Sequence, residues 1–160
     1  MTRATTRSDL PHLLRTQIIA SLNERLAEGI DLSLQARQAH WNVAADHPEL
    51  KEVFGRLYTS TCGWIDVMAE RAMRLGGVVR GTLEVVAAKS TLPTYRLKRA
   101  EGRAHVDALT PSLAAFVSNL RKTAEVAEES GDDGTADLLE RISASADKML
   151  WQLEEQIQDS

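Results

Sequence analysis

The chain has 160 residues, of which 43% are apolar, which is enough for one closed core and too little for two domains of ordinary size. A formal charge of −4 argues against a surface that coats itself with nucleic acid, and no apolar run approaches the roughly 20 residues that cross a bilayer. The single Cys62 has no internal disulfide partner, and the polar start Met1 to Asp9 lacks the apolar stretch of a secretory signal, so a reducing, cytoplasmic setting is expected. Residues 1–12 read as a short polar tail and 13–158 as one helical domain.

From Leu13 to Trp41 the apolar residues Leu14, Ile18, Leu22, Leu26, Ile30 and Leu34 recur in four-residue steps, the signature of a long first helix. Ile19 and Leu32 fall off that line, marking either a wide core face or a subunit interface. Pro48 suits the first turn of a second helix, whose stripe runs through Phe54, Tyr58, Thr61, Ile65, Met68, Ala72 and Leu75 until Gly76-Gly77 stops it. Val78 to Arg99 is too long for a tight turn and reads as a crossover carrying a short helix at Leu83–Ala88. A third helix is predicted from near Ala100 to Ser130-Gly131, with a kink at Pro111, and a fourth from about Thr135 to Ile157, introduced by Asp132-Asp133. The fold class is therefore all-α: four long helices with a short helix in the long crossover between helices two and three.

Asp66 and Glu70 stand four apart, which places two carboxylates on one helical face, where hard oxygen ligands can meet a cation. Such a pair is more often a solvated face, and a helical His40 alone is more often a packed residue than a ligand. Their context is more specific. Gln38-Ala-His-Trp-Asn-Val43, then Asp66-Val-Met-Ala-Glu-Arg71, then Leu75-Gly-Gly77 resemble the signature of the Dps mini-ferritins in its proper order, and Gly81-Thr82 and Lys148-Met-Leu-Trp151 extend the likeness over most of the chain.

That resemblance implies a ferritin-like four-helix bundle, a hollow homo-oligomer of twelve subunits, and oxidation of iron with hydrogen peroxide at sites shared between two-fold-related subunits. It implies that His40 faces Asp66 and Glu70 of a neighbouring copy. The family's remaining His and Asp, early on the second helix, align with Lys51 and Gly55, so two ligand positions are altered and an impaired ferroxidase centre is expected. An ungapped alignment instead puts Glu52 at the His position, and His47 is a second substitute ligand if its loop folds inward. Lys51 either occupies the cation's place or points to solvent, and Gly55 either is a lost ligand or relieves crowding. The alternative function is a structural or nucleoid-associated shell without ferroxidase activity. By the same resemblance Asp132, Asp133 and Asp137 line a cation-entry pore, against the plainer reading of a solvated helix start. Arg3 and Arg7 offer only weak, salt-sensitive DNA contacts, and the cluster Arg96, Lys98, Arg99 and Arg103 reads as a solvated face. His12 and His105 have no partner at ligand spacing, and Cys62 reads as a small packed residue.

Overall fold

In the computed structural model, residues 8–96 and 101–158 are described. They form α1 (His12–Asn42), α2 (Pro48–Arg74), α3 (Leu83–Lys89), α4 (Gly102–Glu129) and α5 (Asp133–Gln158). The short connections after α1 and α4 make α1 and α2 one antiparallel hairpin and α4 and α5 another. The crossover lies between these hairpins in sequence, and its α3 packs on α1.

The hairpins close over a core in which Phe54, Leu57 and Met68 of α2 and Leu109, Leu113, Phe116 and Leu120 of α4 are fully buried. Trp64 stacks on Phe116 at 6.1 Å between centroids. In α1 the predicted stripe is correct through Leu26, but Leu34 is 51% exposed, and the buried apolar residues of the last three turns are Leu32, Ala36 and Ala39. Strict four-residue steps overshoot a helix of about 3.6 residues per turn, so the predicted line has left the core face by its fifth step, at Leu34. Ile19 and Leu32 are both buried inside the single chain, which assigns them to a wide core face.

Both glycine stops have a defined geometry. Gly76 and Gly131 adopt φ of 82° and 81°, conformations costly for any residue with a Cβ. At the first, Gly76 N–H donates to Met73 O and Gly77 N–H to Ala72 O; at the second, Gly131 N–H donates to Glu128 O and Asp132 N–H to Ala127 O. Pro111 sits inside α4 without ending it, on an exposed position where the carbonyl left without a helical donor belongs to exposed Asp107.

A buried polar network ties the crossover down. Glu28 of α1 is fully buried, and its Oε1 accepts from Arg25 Nη2 at 3.0 Å, Asn119 Nδ2 at 3.0 Å and Thr91 Oγ1 at 2.8 Å. Arg25 Nε lies 2.9 Å from its other oxygen. One turn on, Asp31 accepts from Ser90 Oγ at 2.6 Å, and Pro93 O accepts from both Gln35 and Ser112. Without these donors Glu28 would be a buried charge costing several kcal/mol. The network therefore fixes the path of residues 90–93 across α1 and α4.

Candidate metal half-sites

His40, near the C-terminal end of α1, lies against the first third of α2. Its Nδ1–H donates to the Lys51 carbonyl at 2.9 Å. That bond sets the tautomer and leaves Nε2 with the lone pair a metal needs, the usual way a protein orients a ligating imidazole. Gly55 makes the arrangement possible, since a Cβ there would stand 3.2 Å from His40 Nδ1 and 3.3 Å from Cε1. The packing gives Gly55 the role of relieving crowding.

Asp66 and Glu70 are both exposed on α2, and Glu70 also pairs with Arg74 one turn on. Asp66 lies eleven positions beyond Gly55, an axial separation of about 16 Å at 1.5 Å per residue. His40 and the two carboxylates of one chain therefore cannot hold the same ion. Consistently, no group of three or more His, Cys, Asp or Glu side chains comes together within the chain among the described residues. What one copy offers is two separate partial sets, an imidazole at one place and a carboxylate pair at another.

The altered positions flank the imidazole. Lys51 is exposed, and among the described residues no carboxylate of its own chain pairs with its ammonium. Glu52 is exposed, 3.8 Å from Arg56. His47 caps α2 through its backbone, with Nδ1 3.3 Å from Glu49 Oε1 and its ring against Gly102, where a Cβ would meet His47 Cδ2 at 3.0 Å. Its ring is thus engaged with the start of α4.

The three aspartates after α4 differ from one another. Asp132 is 3% exposed: its Oδ1 accepts from Thr135 N–H at 3.1 Å and from Arg71 Nη2 at 2.6 Å, and Oδ2 accepts from the Thr135 hydroxyl. It caps α5 and locks that helix to α2. Asp133 and Asp137 are exposed, and Asp137 borders a shallow hollow with Glu140 and Arg141. Arg96 and Arg103 are exposed; Arg3, Arg7, Lys98 and Arg99 lie outside the described residues. Cys62 is half-buried.

Two arrangements had no counterpart in the sequence reading. Arg37 stacks between Tyr58, 4.6 Å from the ring centroid, and Trp41 at 5.4 Å. His105, buried on α4, takes a short hydrogen bond between its Nδ1 and the Tyr95 hydroxyl and meets Phe54 edge-on. Burial raises the Tyr95 phenol to about 12. The Arg37 spacing to Trp41 is one helical turn and was available as a signal; the Tyr95–His105 pairing depends on where the crossover lands and was not.

A family model described as a ferritin-like domain matches residues 19–160. The chain is 34% identical to a DNA protection during starvation protein of Agrobacterium fabrum over 96% of both chains. It is 33% identical to one of Brevibacillus brevis, covering 86% of this chain and 93% of the relative. Among solved structures, DpsA14 from Streptomyces coelicolor superposes with a TM-score of 0.91 at 27% identity, covering 98% of this chain and 93% of that one. Fold, signature motifs and relatives agree: the chain belongs to the Dps family of ferritin-like proteins.

Proposed function

We propose that copies of this chain assemble into a hollow shell of twelve subunits that takes up ferrous iron as its substrate, sequesters it, and limits peroxide damage in the cytoplasm. The observation that carries this reading is the separation of the ligand sets. His40 has its Nε2 lone pair left free by the bond to the Lys51 carbonyl, while Asp66 stands about 16 Å along the same supporting helix and Glu70 one turn farther. Each set is useful for metal only beside the other set of a second copy. A two-fold contact brings such sets together twice.

The donor set suits iron only in part. One imidazole and two carboxylates are appropriate ligands for a ferrous ion, yet Gly55 supplies no side chain and Lys51 brings a cation to the vicinity. Oxidation is therefore slow. A carboxylate pair facing Lys51 of a neighbour is neutralised without iron, and this favours the second reading, a nucleoid-associated or structural shell with no ferroxidase activity. Asp133 and Asp137 serve as the exposed carboxylates of an entry pore, with Asp132 holding the turn that presents them. DNA binding is weak and salt-sensitive, resting on Arg3 and Arg7.

Light scattering with anaerobic iron titration of the metal-free protein tests the reading. A twelve-mer that binds ferrous iron, and loses most of that binding in Asp66→Asn/Glu70→Gln, is the expected result. A stable monomer refutes the assembly, and a twelve-mer without iron uptake leaves the second reading standing.

A further inference from the structure

Next to His40 the surface changes sign. A groove of about 630 Å³ runs between α1, α2 and α5, and its charged lining is Arg37, Arg56 and Lys148 against Glu52 alone. Three cations to one carboxylate is a local excess on a chain whose net charge is −4. Arg37 is held in place by its stack on Tyr58 and Trp41, so its guanidinium needs little ordering to receive a ligand. Among the described residues the carboxylate paired with Arg56 is that of Glu52 at 3.8 Å, a loose and exposed pairing of little energetic weight. No carboxylate lies within ion-pair distance of Lys148 among the described residues.

Neutral donors complete the lining. Ser60 and Ser145 bring hydroxyls from facing helices, and Gln152 brings an amide. Gly55 belongs to the same groove and also supports the His40 ring, so a ligand held here lies beside the imidazole. A cation is repelled by this lining, whereas a small tetrahedral oxyanion matches it, with guanidinium and ammonium groups to donate charge-assisted hydrogen bonds and hydroxyls to donate to the remaining oxygens.

We propose that this groove is a binding site for inorganic phosphate, placed next to the His40 half-site. The inference goes beyond the iron-handling reading and does not depend on it, because phosphate binding can be read with no metal present. Where iron is taken up, the groove supplies a counter-anion beside the imidazole.

The test is calorimetric titration of the assembled, metal-free protein with inorganic phosphate at fixed ionic strength in chloride, with ³¹P line broadening as a second readout. The variants are Arg56→Gln/Lys148→Gln, both at exposed positions, and Lys122→Gln on the exposed face of α4 as a control. Saturable binding that weakens by roughly tenfold or more in the double variant, and is unchanged in the control, is expected for the loss of two charge-assisted contacts. Absence of saturable binding, equal binding by the double variant, or binding of a short DNA duplex with none of free phosphate would overturn it. Iron uptake that fails while phosphate binding persists would count against the proposed function and not against the groove.

Discussion

Replacing Gly55 by alanine separates two reasons for a glycine in the middle of a helix. On propensity alone Gly55→Ala stabilises α2 by about 1 kcal/mol, since alanine loses less backbone freedom on folding. The packing opposes this: the new Cβ would stand 3.2 Å from His40 Nδ1, so the ring must give by a few tenths of an ångström. Displacing it weakens the bond from Nδ1 to the Lys51 carbonyl, worth about 1 kcal/mol. The two contributions offset, and denaturant unfolding of the variant is expected within about 0.5 kcal/mol of the parent. Metal binding responds differently. Loss of the partner that orients a ligating imidazole typically costs 10- to 100-fold in affinity, so a zinc or cobalt titration of the assembled protein should weaken by roughly tenfold or more. A variant that gains the full 1 kcal/mol or so and binds metal as the parent does would refute the claim that Gly55 exists to seat His40.

Three further changes test the framework around the half-sites. Asp132→Ala removes a buried helix cap and leaves Arg71 without its carboxylate, and is expected to cost roughly 3 kcal/mol in denaturant unfolding. Glu28→Gln keeps the shape of the buried network but removes the buried counter-charge of Arg25 and leaves it the exposed Glu24 at 3.6 Å; a loss of about 2 kcal/mol, with faster hydrogen exchange in residues 90–93, is expected. Tyr95 keeps its proton in the folded state up to about 12, against 10.0 for the ordinary phenol, so its contribution to stability is complete below pH 10 and fades as the pH rises toward 12. Tyr95→Phe should remove the ionisation step near pH 12 from the ultraviolet titration of the folded protein.

Helix periodicity carried most of the fold. The stripes through Phe54, Met68, Leu113 and Leu139 are core in the structure, and the glycines at 76 and 131 end helices where the sequence places them. The departures come from helical drift and from contacts between distant residues. Leu34 leaves the core because four-residue steps overrun the helical repeat, and Glu28 joins it because Thr91 and Asn119, more than 60 residues away, arrive to donate hydrogen bonds to its carboxylate. Around the site, the pattern of His40, Asp66 and Glu70 was legible from spacing and resemblance. The support of His40 by Lys51 O and Gly55 was not, because a backbone carbonyl has no sequence signature and a glycine contributes by what it lacks. Asp132 looked equivalent to Asp133 in sequence; only the position of Arg71 on another helix makes it a buried cap.

On the function proposed here, His40, Asp66 and Glu70 are the ligands this chain keeps for an inter-subunit iron centre, and Lys51 stands where a further imidazole is missing. Stopped-flow absorbance of ferric product, with hydrogen peroxide as oxidant and assembly state matched, tests this most directly. The parent should oxidise iron slowly, and Lys51→His should be faster, because an imidazole joins the donor set and a competing ammonium is removed while Gly55 still leaves room for the His40 ring. Lys51→Ala should fall between them, since it removes repulsion without adding a donor. Fast oxidation by the parent, abolished by His47→Ala, would contradict the account and transfer the missing ligand to the loop before α2.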